Sequence, residues 1–416
     1  MITRAKFFQI LLLVVGAATL VSCSPAVPCN VLGSGGAARL RPASSSNICG
    51  SGGGGTPTCS STLKPAQVLL SLDAKGILEY GIDSTTGALT LMCNTATAPV
   101  GPIAVSNNTF VYVLDTSVSP AQVFGFIIAH GNSGALAAMT GSPFQLTEAI
   151  TGNGTIVADP LNRFMFVTNN SGNDVHVLNI GQSGALTEAT NSPFAVSAPD
   201  FIAINPAGAL AYVPDSTDGD IFIFSVGANG SLTSTVASPL IVGIGNNSPH
   251  FALVHPNGNF LYTANLQTIG AYSIDPIPAN GGALTQLGGS PYTPAIAGDG
   301  QVAPLVLVLD NSGKFLYVVP EGKNGGLTGF LSDNIIGFAV DTNLGGLTPL
   351  PNSPFLSSST LDIVANPSLT QMIVASSNTT TVLFEIAPID ASGNLTLPTT
   401  GLAVTAEIHP VVVNIN

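Results

Sequence analysis

The chain of 416 residues carries 9 basic and 22 acidic residues, a formal net charge of −13, and only 7% of its residues are charged. With 46 Gly, 30 Pro and no Trp beside 45% apolar residues, the composition suits an all-β protein surfaced with Ser, Thr, Asn and Gly. No basic cluster lies beyond the extreme N-terminus, so nucleic acid is excluded as an expected partner.

Arg4 and Lys6 precede an apolar run over 7–21, which ends in Leu20-Val21-Ser22-Cys23. A short basic region, an apolar stretch and small residues before a cut site make a secretory signal peptide, and the run is too short for a spanning helix. Leu-Val-Ser-Cys resembles the bacterial lipobox. That resemblance implies a signal peptide over 1–23 and lipidation of Cys23, with ordinary cleavage beside an incidental Cys as the alternative. Ser24, where inner-membrane retention would call for Asp, implies an outer-membrane lipoprotein of the cell envelope. Residues 24–64 have the Gly/Ser/Pro composition of a flexible tether. Four cysteines follow Cys23: Cys29, Cys49, Cys59 and Cys93. In an oxidising compartment they allow two disulfides with three pairings, one of them expected to pin the tether to the first repeat. None has zinc-ligand spacing.

From residue 65 onward a short motif returns seven times: Gly87-Ala88-Leu89-Thr90, Gly134-Ala135-Leu136-Ala137, Gly184-Ala185-Leu186-Thr187, Gly230-Ser231-Leu232-Thr233, Gly282-Ala283-Leu284-Thr285, Gly345-Gly346-Leu347-Thr348 and Gly393-Asn394-Leu395-Thr396. The copies lie 47, 50, 46, 52, 63 and 48 residues apart, the period of a propeller blade. Each repeat carries three further apolar strands. The first type runs over 156–160, 201–206, 251–256, 305–310 and 361–367. The second, aromatic-rich, runs over 110–114, 164–168, 210–213, 260–263, 315–319 and 371–375. The third runs over 123–128, 175–180, 221–226, 269–274, 335–340 and 382–386. A fourth is expected to continue from the Gly motif into a Ser-Pro turn at Pro143, Pro193, Pro239, Pro291 and Pro354, a place tolerable for Pro on an outer edge. The repeat region opens on a second-type strand at 67–72 and ends on a first-type strand at 410–416. The last strand therefore completes the first blade, predicting a closed all-β propeller of seven four-stranded antiparallel blades over 65–416.

The blade formula, as in Asn205-Pro206-x-Gly208-x-Leu210-x-Tyr212-Val213 and Asp310-Asn311-Ser312-Gly313-Lys314-Phe315-Leu316-Tyr317-Val318, resembles the lactonase family of seven-bladed propellers related to bacterial 6-phosphogluconolactonase. Phe166-Val167-Thr168-Asn169 is also similar to the surface-protein repeats named for Tyr-Val-Thr-Asn. Pro249-His250-Phe251 through His255-Pro256-Asn257-Gly258 matches the family's Pro-His…His-Pro-x-Gly segment. An offset of five along a strand puts His250 and His255 on opposite faces, so they do not cooperate. His255 falls at a turn position shared with Asp159, Asn205, Asp310 and Asn366. His250 falls where an inner strand begins, and Asp200 holds the same place in the preceding blade. These two are the candidate catalytic pair, a carboxylate orienting an imidazole base, with an ordinary rim contact as the alternative.

The same rim is expected to gather Asp115, Asn169, Asp215, Asn265 and Glu321 at the ends of second-type strands, closing their own turns and offering a rim binding surface. The acidic loop 215–220 lacks the full calcium pattern, so no metal is expected there. No cofactor is expected either: there is no phosphate loop, no Gly-x-Ser-x-Gly elbow and no zinc-protease motif. Cations are scarce in the repeats, with Arg163, Lys75, Lys314 and Lys323 alone, which disfavours a phosphorylated lactone. The favoured reading is a monomeric, lipid-tethered binding module for a carbohydrate-like small molecule or an envelope protein. The alternative is a hydrolase of a neutral sugar lactone or related ester at the channel mouth.

Overall fold

The computed structural model describes residues 65–414 apart from 74–75, 96–100, 131–133, 153, 297–299, 302, 321–331, 369, 378–381, 399–400 and 405–406. Cys23, Cys29, Cys49, Cys59 and Glu321 lie outside the described residues. Cys93 is disulfide-bonded.

The strands form seven blades of antiparallel sheet, each written from its inner strand outward. Blade 2, for example, runs Ile103–Ser106, Phe110–Asp115, Gln122–Ile128 and Leu136–Ala138. Blade 3 runs Ile156–Ala158, Phe164–Asn169, Asp174–Ile180 and Leu186–Glu188. Blade 4 runs Ala203–Ile204, Leu210–Asp215, Asp220–Val226 and Leu232–Ser234. Blade 5 runs Pro249–Val254, Phe260–Asn265, Ile269–Ile274 and Leu284–Gln286.

Blade 1 is made from both ends of the chain. The C-terminal strand Glu407–Asn414 pairs with Gln67–Asp73, setting Val68 opposite Val413 and Leu70 opposite Val411. Gln67 Nε2 also donates to Asn414 Oδ1 at 2.9 Å. On the other side of that blade, Gln371 of blade 7 donates to the Thr86 carbonyl at 3.3 Å. The apolar core is accordingly divided into seven clusters, one between each pair of neighbouring blades, including one that joins Leu69, Tyr80 and Ile82 to Ile373 and Phe384 across the seam. The ring is closed.

The repeated glycine has a double cause. All seven sit at positive φ, from 64° at Gly134 to 85° at Gly393, which L-residues rarely adopt. A Cβ at Gly184, Gly230, Gly345 or Gly393 would also press on the first aromatic of the preceding blade: Phe110, Phe164, Phe260 or Phe315. Four of the seven repeated glycines accept, through their carbonyls, the phenol of the neighbouring blade. Tyr112 donates to Gly184 O at 2.7 Å, Tyr212 to Gly282 O at 3.3 Å, Tyr262 to Gly345 O at 2.9 Å and Tyr317 to Gly393 O at 2.8 Å. Buried phenols need such partners, and here each one ties two blades together.

The outer strand departs from the sequence expectation. It is not one run into a Pro turn but two short pieces on the same neighbour, Leu136–Ala138 and Phe144–Gln145 in blade 2. The cis Ser-Pro turn interrupts it, and the serine hydroxyl takes the place of the missing backbone acceptor. Ser142, Ser192, Ser238, Ser290 and Ser353 each accept the third-strand N–H, from Gly125, Val177, Ile223, Ala271 and Gly337, all at 2.9 Å. The serine matters as much as the proline, because an unpaired buried N–H would be costly. Blades 6 and 7 are joined by one strand, Phe355–Ala365, whose start pairs with Ile335 and whose end pairs with Gln371–Ser377.

Candidate functional site

His250 owes its position to a bulge. In blade 5, Pro249 pairs with Asn265 and Phe251 with Ala264, so His250 is the extra residue between them. Leu305 holds the same place in blade 6, between the pairs Pro304–Pro320 and Val306–Val319. In blade 4 the corresponding residue is Asp200, whose N–H donates to Pro214 O at 3.1 Å. The next residues along these two strands, Phe201 and Phe251, pack with ring centroids 4.3 Å apart and ring planes tilted by 34°. That contact sets the inner strands of blades 4 and 5 side by side, with Asp200 and His250 each one residue above it. Both are half-buried. The Asp200 carboxylate is anchored at each oxygen: Oδ1 accepts from Asn170 Nδ2 at 3.0 Å and Oδ2 from the Ser216 N–H at 2.8 Å.

The four described rim residues are all buried and bonded within their own corners. Asp115 Oδ1 accepts from the Ser117 N–H and hydroxyl, at 2.9 and 2.6 Å. Asn169 Oδ1 accepts from the Thr151 N–H at 2.8 Å. Asp215 Oδ1 accepts from the N–H groups of Thr217 and Asp218, at 2.7 and 3.2 Å. Asn265 accepts from the Thr263 hydroxyl at 2.8 Å and donates to Thr268 at 2.9 Å. His255, at the other end of its strand, is likewise structural: Nε2 donates to Gly313 O at 2.9 Å and Nδ1 accepts from the Asn257 N–H at 3.2 Å.

A further polar cluster escapes the sequence reading. His176, on the third strand of blade 3, is fully buried on the face turned towards blade 2. Its Nδ1 lies 2.6 Å from Glu188 Oε1, and its Nε2 lies 3.4 Å from Asp174 Oδ1 and 3.5 Å from Glu148 Oε1. Glu188 is steadied by the Ser192 hydroxyl at 2.9 Å and the Thr147 N–H at 3.1 Å. Burial pushes the Asp174 carboxyl above its ordinary range, opposed by the His176 charge and reinforced by Glu148. Burial acts the same way on Glu188, but the bonds from His176, Ser192 and Thr147 outweigh it and hold that carboxyl below its ordinary range. Nothing marked these residues beforehand, because they come from a connection and two strands, spread over the stretch from Glu148 to Glu188, and match no linear motif. The one available signal was His176 at a strand position filled in other blades by Phe124 and Phe222.

The family model for the lactonase, 7-bladed beta-propeller, matches residues 67–411. The chain belongs to the lactonase family of seven-bladed β-propellers. Among solved structures, a putative 6-phosphogluconolactonase from Bacteroides fragilis shares 20% identity over 85% of this chain and 99% of its own, with a TM-score of 0.66. The Pseudomonas aeruginosa periplasmic gluconolactonase PpgL shares 17% identity over 84% of this chain and 99% of its own, with a TM-score of 0.65. No curated protein matches the chain.

Within this lactonase-family propeller the described cations are two, Arg163 and Lys314. Arg163 grips Asp159 through Nε at 2.7 Å and Nη2 at 3.1 Å, bonds Gly208 O at 2.5 Å and lies 5.0 Å over the Phe164 ring. It is a blade-to-blade tie. Lys314 is exposed in the turn before Phe315–Pro320, at the end of the blade opposite His250. Among the described residues, no other Lys or Arg is present.

Proposed function

We propose that this protein is an exported, lipid-anchored hydrolase that opens an uncharged sugar lactone, or a related neutral ester, where Asp200 and His250 meet at the channel mouth. The observation that carries the reading is the Phe201–Phe251 contact, 4.3 Å between centroids, made by the residues that follow Asp200 and His250 along adjacent inner strands. His250 takes a proton from water as the oxygen adds to the lactone carbonyl. The ring oxygen then leaves and receives that proton, giving the open hydroxy acid. Asp200, fixed by Asn170 and Ser216, supplies negative charge that favours the imidazolium formed in between. Family membership supports the reaction class, and the scarcity of Lys and Arg in the repeats supports an uncharged substrate. The test is acid release from glucono-1,5-lactone and from its 6-phosphate. The neutral lactone should open faster than in buffer and be preferred by at least about tenfold, the worth of one missing charge contact. A preference for the phosphorylated lactone would remove the reading.

A second reading, a non-catalytic binding module, is favoured by the edge of blade 4. Val236, Ile241 and Ile244 are 87%, 76% and 75% exposed, and a cavity of about 120 Å³ beside them is lined by Leu240, Ile241, Asn265 and Tyr272.

A further inference from the structure

We propose that Glu148, Asp174 and His176 form a binding site for one divalent transition-metal ion of the zinc class, tying the connection that leaves blade 2 to the third strand of blade 3. Each contributes one atom, and the three atoms lie within 4.8 Å of one another.

The decisive group is the imidazole. His176 is fully buried, and its Nε2 has no hydrogen-bond partner although it points at two carboxylates. Asp174 Oδ1, which faces it, has no hydrogen-bond partner either. Their separations from Nε2, 3.4 Å to Asp174 and 3.5 Å to Glu148, lie beyond the usual N–H···O range. They match two donors on one tetrahedral ion, which stand about 3.3–3.5 Å apart when each is about 2.0–2.1 Å from the metal. Glu188 Oε1 only accepts, so the 2.6 Å contact puts a hydrogen on Nδ1, and in the neutral imidazole that an ion binds, the Nε2 lone pair is aimed into the cluster. A carboxylate behind a ligand imidazole is the usual outer support of such sites, and Glu188 is itself held by Ser192 and Thr147. Asp174 is steadied in turn, its Oδ2 accepting from Asn169 Nδ2 at 3.3 Å.

The donor set selects the ion. Imidazole with two carboxylates suits Zn²⁺, with Mn²⁺ next; Ca²⁺ and Mg²⁺ demand oxygen ligands alone. The Glu148 side chain is 46% exposed, so the fourth position opens to solvent and an ion can enter from the surface. The site shares no residue with Asp200 and His250, so this inference does not depend on the lactone reading.

The experiment is calorimetric titration of the chelator-stripped, full-length protein with Zn²⁺, with Ca²⁺ as the contrasting probe. The proposal predicts one Zn²⁺ per chain, a higher unfolding temperature when it is bound, and no saturable Ca²⁺ uptake. His176→Ala should abolish the uptake, and Glu188→Gln should weaken it by about 10–100-fold as an outer-support loss. Glu148→Gln, at an exposed side chain that folding does not need, should weaken it by at least about tenfold and carries the test if the buried variants misfold. Co²⁺ in place of Zn²⁺ should give visible d–d bands without a thiolate charge-transfer band. No uptake by the folded wild type, wild-type affinity in Glu148→Gln, or a thiolate band would each overturn the proposal.

Discussion

Blade 3 carries His176 and Glu188 where blade 4 carries Phe222 and Ser234, on strands paired in the same register. Both third strands begin with Asp, at Asp174 and Asp220, opposite Asn169 and Asp215. Yet blade 3 gathers a buried imidazole among carboxylates, while blade 4 sets Phe222 and Phe224 with ring centroids 6.4 Å apart and leaves Asp220 beside like charges. Burial and the charges of Asp215 and Asp218 push the Asp220 carboxyl upward. The backbone of a blade is thus held by what repeats: the left-handed Gly, the phenol that reaches it and the Ser hydroxyl that patches the ladder. Its chemistry sits at positions that the repeat leaves free to vary.

The largest effect should come from attacking the repeated element. At Gly282, φ is 71° and a Cβ would lie 2.5 Å from Leu210 Cδ1. Gly282→Val should therefore cost about 4 kcal/mol, from left-handed strain and overpacking together. Gly230→Val should cost less, because the nearest atom there, on Phe164, is 3.1 Å away. Urea denaturation of the two variants measures the difference.

Blade 1 sharpens the comparison with a third choice, placing Glu79 where blades 3 and 4 place Val177 and Ile223. Burial lifts this carboxyl from 4.5 to about 7, against opposing bonds from Thr95 and Leu136. Between those values the folded protein keeps a proton that the unfolded chain has lost, so stability falls as pH rises. The loss is about 3 kcal/mol across the window and ends once the folded carboxyl ionises. Glu79→Gln should flatten the slope of unfolding free energy against pH between 4.5 and 7.

The smallest effect separates the two blades by one oxygen. Blade 4 has Tyr212, bonded to Gly282 O at 3.3 Å; blade 3 has Phe166 at that position and does without the bond. Tyr212→Phe should cost about 1 kcal/mol, read as a small drop in denaturation midpoint with an unchanged slope.

The fold was legible from the chain because each device recurs. The Gly motif gave the period, and the orphan strand at each terminus located the seam at Gln67–Asp73 and Glu407–Asn414. The serine of the Ser-Pro turns was visible, but its role was not, since acceptance of a third-strand N–H depends on how the outer strand breaks. Asp200 and His250 were singled out by counting along repeats, whereas the contact between the residues that follow them, Phe201 on Phe251, needed coordinates. The Glu148–Asp174–His176–Glu188 group was illegible because it is assembled across a blade boundary from residues that differ from their counterparts.

The most direct test of the proposed chemistry follows acid release from glucono-1,5-lactone by wild type, His250→Ala and Asp200→Asn, beside the buffer rate. A wild-type rate above buffer that His250→Ala returns to the buffer line, with Asp200→Asn lowering kcat by about 10²-fold or more, is the predicted result. Turnover by His250→Ala equal to wild type, or a wild type no faster than buffer, would contradict it.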